Sequence, residues 1–262
     1  MDRRARRNSA VGAKGGRRYR WLISLGLLLI LWQVVSLIPS IPDFVLPSPY
    51  VTARAIVDDV PFLGRHIGMT VTATCAGYVL AIAAGLLFGM AMNASRLARD
   101  LLYPPLVLSQ AVPLIAVAPL ILIWFGFGLL AKVLIVAFVC FFPIAVSTYE
   151  AFRAVDPRFR ELLETFGATA RDRYRHIYVP ATLPSILAGM KIAATYSVLG
   201  AVIAEWLGGS KGMGVYMTRA LSSVRVDRMF GGIAIVVLLS YGLFKIVDIG
   251  GRLATPWMRR AQ

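Results

Sequence analysis

Apolar residues in this chain gather into long runs, and polar residues fill the short gaps between them. A helix needs about 20 mostly apolar residues to cross the hydrocarbon core of a bilayer. Six stretches meet that length: roughly Trp21 to Ile38, Gly68 to Met92, Leu101 to Trp124, Leu129 to Phe152, Pro184 to Leu207 and Phe230 to Gly250. No gap leaves room for a further soluble domain. The pattern predicts an all-α membrane protein, with a basic tail over residues 1–20 and one domain of six transmembrane helices over 21–262. The first stretch follows a basic leader, as a signal peptide does. It runs on to Ile38 and meets Pro39 with no small-x-small cleavage site, so it is expected to remain as a span.

Composition agrees with the pattern. The chain is 58% hydrophobic and 16% charged, against about 25% charged in soluble domains. That excludes a disordered chain, which cannot carry so much apolar surface. The net charge of +15 would suit a nucleic-acid binder, but its placement indicates topology instead. With the N-terminus inside, the cytoplasmic segments hold the eight basic residues of the tail, Arg96, Arg99, Arg153, Arg158, Arg160, Arg171, Arg173, Arg175, Arg252, Arg259 and Arg260. The outer side holds only Arg54, Arg65, Lys132, Lys211, Arg219, Arg225 and Arg228. Basic loops stay inside, so both termini are expected in the cytoplasm. Attraction to anionic membrane lipid follows from the same charge, and no nucleic acid is needed to explain it. Cys75 and Cys140 lie in apolar runs and are expected to be small buried hydrophobes.

Several polar or helix-breaking residues lie inside the spans. Pro104, Pro105, Pro113 and Pro119 interrupt the third, with Gln110 among them, and Pro143 lies in the fourth. Proline frees backbone carbonyls, which need protein partners or a water-lined cavity. Broken helices of this kind often border a transport path. Ala81, Gly85 and Gly89 recur at four-residue steps on the second span, a spacing suited to close helix packing. Lys191 is placed to snorkel or pair, Lys245 and Asp248 share a helix face and can pair, and Glu205 stands near the outer end of the fifth span.

Residues 156–180 form the most informative loop. Asp156 suits an N-cap and Pro157 the first helical position. Phe159, Leu162, Leu163 and Phe166 then fall on one face, and Gly167 suits the position past a helix end. A second short helix is expected from Thr169, with Asp172 completing a capping box, and to stop before Pro180. Periodicity alone allows either a helix pair resting on the membrane or a docking element for a cytoplasmic partner.

Glu161-Leu162-Leu163, then Gly167-Ala168, then Ile177-Tyr178-Val179-Pro180 resembles the "EAA" loop of ABC importer permeases. Both spacings match. Leu162 and Leu163 replace the alanines, and Val179 the last leucine. Leu46-Pro47-Ser48-Pro49, Ala118-Pro119-Leu120, Trp124-Phe125-Gly126-Phe127-Gly128, Phe141-Phe142-Pro143-Ile144 and Leu183-Pro184-Ser185-Ile186 are similar to permeases of the nitrate, sulfonate and thiamine-precursor group. The stretch Tyr196 to Gly214 looks most like permeases for the thiamine pyrimidine precursor.

The resemblance implies a type I importer permease in a bacterial inner membrane, with no cofactor of its own. ATP would be bound by a separate ABC ATPase subunit docked on Glu161, Leu162, Leu163, Gly167, Ala168, Ile177 and Pro180. An extracytoplasmic binding protein would deliver cargo, and two ATPase subunits would need a homodimer of this chain. No G-x-x-x-x-G-K-[ST] phosphate loop occurs. Gln110, Pro113, Tyr196 and Glu205 are the candidate residues of the translocation path. The expected cargo is a hydroxymethylpyrimidine-type precursor, with aliphatic sulfonate, taurine, nitrate or riboflavin as alternatives. An ion-driven secondary transporter would favour paired intramembrane carboxylates and inverted repeats, which are not evident. A membrane enzyme fits poorly, since His66 and His176 are expected on opposite sides of the membrane and no catalytic set is visible.

Overall fold

The structure is a computed structural model, and it describes residues 23–40, 42–156, 158 and 169–259. All regular elements among these are helical. In order they are α1 (Ile23–Ser36), α2 (Pro49–Ala94), α3 (Arg96–Ser109), α4 (Leu114–Phe125), α5 (Leu129–Arg153), α6 (Ala170–Arg173), α7 (Val179–Gly208), α8 (Met213–Ser222) and α9 (Val226–Ala254). A π-turn, Tyr174–Tyr178, joins α6 to α7, and a short 3₁₀ turn, Pro256–Arg259, ends the described chain.

Among the described residues four helical runs are long and apolar enough to cross a membrane: α2, Arg175–Gly208, α5 and α9. The pair α3 and α4 makes a fifth if counted as one broken span. The described part of α1 is apolar but shorter than a span.

The chain divides into two units. One comprises residues up to Val60 together with Ala220–Gly231, and the other Pro61–Arg219 with Gly232 onward. In the first, Trp32 of α1 donates its indole N–H to the Pro47 carbonyl at 3.0 Å and packs on Phe230, with ring centroids 5.7 Å apart. Arg228 pairs there with the buried Asp59 at 3.0 Å.

In the second unit α2, α5 and α7 share the main core. It is built largely from small residues: Ala73 and Ala81 of α2, Ala137 and Cys140 of α5, and Ala193, Ala194 and Ala201 of α7. Lipid tails are as apolar as leucine, so helices in a membrane gain little by hiding apolar surface from lipid. They gain by close packing, which small residues permit. The four-residue stripe on α2 does this. A Cβ on Gly85 would stand 2.7 Å from Ile144 Cγ2, and one on Gly89 2.5 Å from Thr148 Cβ, both on α5. Tyr78 ties α2 to α7 by donating its hydroxyl to the Met190 carbonyl at 2.8 Å. Cys140 is buried as expected, whereas Cys75 is exposed. Sequence does not separate the two because a core-facing and a lipid-facing position are equally apolar.

Three other expectations are corrected. The second span was expected from Gly68, but its helix begins at Pro49, since proline is well suited to a first helical turn and the polar residues after it still form helix. Asp248 does not pair with Lys245. It binds Lys191 of α7 at 2.6 Å and Arg252 at 2.8 Å, while Lys245 lies over the Tyr241 ring. The helix from Thr169 does not stop before Pro180. It widens into the π-turn and continues as α7, with Pro180 in its first turn. Proline lacks an N–H and crowds the carbonyl four residues back, and a widened turn relieves that conflict.

Candidate functional site

The third apolar stretch is broken, as its prolines suggest, but at one of them only. α3 and α4 meet at 106° across Gln110 to Pro113. Pro104 and Pro105 lie inside α3, and Pro119 inside α4. α3 closes with tight three-residue bonds, Gln110 N–H to Val107 O at 3.2 Å and Ala111 N–H to Leu108 O at 3.1 Å. Pro113 then caps α4 with extended backbone, ψ 125°. A proline disfavours helical backbone at the residue before it, so the break falls where Pro113 places it.

The bend opens a cavity of about 390 Å³ between the α3–α4 junction, α5 and α7. Gln110, Pro113 and Tyr196, three of the four residues expected along the path, line it together. Phe138 and Phe142 of α5 supply aromatic wall, and Ser109 a hydroxyl. Every lining side chain is uncharged.

Glu205 is not among the lining residues. It lies near the C-terminal end of α7, 1% exposed, in a polar cluster of its own. Thr70 of α2 donates its hydroxyl to the carboxylate at 2.9 Å, and the Gly214 N–H donates at 2.9 Å. Lys132 of α5, 3% exposed, stands 4.0 Å away and donates to the Lys211 carbonyl at 2.8 Å. Met213 N–H donates to Thr70 Oγ1 at 2.8 Å, and Gly212 N–H to His66 Nδ1 at 3.2 Å. The carboxylate thus gathers α2, α5, α7 and the loop into α8. Gly212 makes this possible, since its φ of +134° is unfavourable for any side chain and a Cβ would overlap the Glu205 carboxylate. A buried carboxylate is tolerated only when so partnered. Sequence reasoning marked Glu205 but missed Thr70, Lys132 and His66, because its partners lie on other helices and no local spacing links them.

Glu161, Leu162, Leu163, Gly167 and Ala168, expected to dock the ATPase, lie outside the described residues. The edges of their segment are described. Asp156 accepts the Arg158 N–H at 2.9 Å, as an N-cap does. Thr169 and Asp172 form the expected capping box: Thr169 N–H donates to Asp172 Oδ2 at 3.1 Å, and Asp172 N–H to Thr169 Oγ1 at 3.3 Å. The Thr169 hydroxyl also donates to the carboxylate at 2.6 Å, holding the Asp172 carboxyl below its ordinary value. Ile177 lies in the π-turn and Pro180 in the first turn of α7, so this end of the segment is continuous with the long helix.

Comparison with known proteins assigns the lineage. The formylaminopyrimidine transport permease protein ThiX of Halalkalibacterium halodurans is 32% identical over 235 residues, covering 89% of this chain and 94% of that protein. The riboflavin transport system permease protein RibX of Chloroflexus aurantiacus is 31% identical over 248 residues, covering 92% of each. Other relatives are named for taurine and for aliphatic sulfonates. A bacterial ABC transporter involved in the import of the acidic polysaccharide alginate shares the fold, with TM-score 0.62 at 16% identity over 94% of this chain and 96% of that one. Residues 77–260 match the family of binding-protein-dependent transport system inner membrane components, and the chain belongs to that family as a multi-pass permease subunit of an ABC importer.

Proposed function

We propose that this permease imports a neutral pyrimidine precursor of thiamine, of hydroxymethylpyrimidine type, through the cavity at the α3–α4 break. The uncharged aromatic lining carries the reading. A sulfonate or nitrate would have to shed water among Phe138, Phe142 and Tyr196 with no cation to receive its charge, which is costly. A pyrimidine offers a flat ring to aromatic faces and ring nitrogens to hydrogen-bonding groups. Gln110, Ser109 and Tyr196 carry such groups. In this reading Gln110, Pro113 and Tyr196 meet the cargo, and Glu205 braces the outer end of the path without touching it.

The family supports the following transport cycle. The chain has six spans, with α1 as the first and both termini in the cytoplasm. Two copies form a symmetric dimer around the path. An ABC ATPase subunit docks on each segment from Glu161 to Pro180, and a binding protein delivers cargo from outside. Closure of the ATPases on ATP draws the segments together and rocks the spans between inward and outward openings, a rigid-body switch.

The test is uptake of labelled hydroxymethylpyrimidine and a labelled alkanesulfonate in cells with and without this chain. Pyrimidine uptake lost only without the chain supports the reading. Loss of sulfonate uptake instead overturns the cargo and leaves the permease.

A further inference from the structure

A second cavity, of about 330 Å³, lies where the start of α3 meets the end of α5. Arg99, Asp100, Tyr103, Pro104, Tyr149 and Arg153 wall it, none of them shared with the cavity at the helix break. Tyr149 is buried and packs against Tyr103, with ring centroids 5.3 Å apart. The Arg153 guanidinium carbon lies 5.6 Å from the centroid of the Tyr149 ring. Arg99 donates Nε to Asp100 at 3.0 Å, which uses one of the five N–H donors of a guanidinium.

We propose that this pocket holds the phosphate headgroup of an anionic phospholipid. Two guanidiniums converge on one cavity with two phenols beside them and a single carboxylate in the wall. Guanidinium presents planar paired donors that match phosphate oxygens. The surface beside the pocket selects a lipid over a soluble phosphate. Leu97, Leu101 and Leu108 of α3 are exposed. Together with Pro104 they fall on one stripe of the helix, three and four residues apart, which offers a track for acyl chains. The inference rests on the orientation proposed above, which places both helix ends at the cytoplasmic leaflet, where anionic lipids concentrate. Arg153 ends α5, three residues before Asp156, where the loop that carries the proposed docking segment begins. A bound headgroup fixes the helix from which that segment emerges, so anionic lipid sets the efficiency of coupling.

The experiment uses the full transporter in nanodiscs containing equal phosphatidylglycerol and phosphatidylcholine, with retained lipid read by native mass spectrometry. The unmodified protein retains phosphatidylglycerol several-fold over phosphatidylcholine, and the ratio falls to near one in Arg99→Gln/Arg153→Gln. A ratio near one in the unmodified protein overturns the pocket whatever the variant does. An unchanged ratio in a folded variant does the same. Displacement of the lipid by millimolar inorganic phosphate alone overturns the lipid in favour of a free anion. In Arg96→Cys with Cys75 replaced by alanine, thiol labelling only from outside the cell overturns the orientation. Labelling only from inside, with a ratio near one, overturns the pocket and leaves the orientation standing.

Discussion

Replacing Glu205 tests how much the buried cluster at the end of α7 contributes. Glu205→Ala leaves Thr70 and the Gly214 amide without their common acceptor and Lys132 without the carboxylate that faces it. Breaking a buried charged pair costs about 3–5 kcal/mol, so the variant melts at markedly lower temperature in detergent or yields little folded protein. Glu205→Gln keeps an oxygen for Thr70 or Gly214 and loses only the charge facing Lys132, so its melting point falls between the two. Equal melting of all three proteins refutes the role. A lone acidic residue inside an apolar run is visible in sequence as an anomaly. What it is for depends on Thr70 and Lys132, more than 70 positions away along the chain, and those residues look ordinary in their own runs.

Helices α2 and α5 are held by surfaces with no room to spare. Gly85→Leu drives a large side chain into Ile144. Overpacking a close contact costs about 1–3 kcal/mol, so thermal stability drops, while the same change at Gly68, which has open space around it, is tolerated. The melting points of the two variants compare these directly. The capping box at Thr169 gives a pH-dependent counterpart. The Asp172 carboxyl is held below its ordinary value by the Thr169 hydroxyl. Its contribution is therefore complete above the ordinary aspartate range and is lost as pH falls through the lowered value. The protection of the Thr169 amide, its exchange rate measured against that of the unfolded chain at the same pH, falls on acidification, and Asp172→Asn removes that dependence. Of these elements, the small-residue stripe, the capping box and the break in the third span were legible, because each rests on local spacing or local backbone chemistry. The continuation through Pro180 was not. A proline normally predicts an ending, and a π-turn that accommodates it has no signature in residue type. The helix α8 was also missed, because the loop before it reads as a glycine-rich linker until its partner carboxylate is placed.

For the assembled transporter, the decisive variant is Glu161→Ala. The proposed docking segment makes this residue part of the contact with the ATPase, so the variant should assemble in the membrane yet transport at a small fraction of the normal rate. Transport at the normal rate removes the assignment of that segment. The family could be read from the motif and from resemblances along most of the chain, and the matched region of residues 77–260 agrees. The resemblance pointed to a pyrimidine cargo, but the cavity on which the proposed cargo rests was not legible, because no local spacing links the bend at Pro113 to Phe138, Phe142 and Tyr196. The stretch from Gly208 to Gly214, which joins α7 to α8, carries a last consequence. Four of its seven residues are glycine, a composition that ordinarily signals a slack hinge open to proteases. Here the Gly214 and Met213 amides are committed to buried acceptors. Their hydrogens should exchange with solvent as slowly as those of the helix cores, and a protease offered the intact protein should leave this stretch uncut.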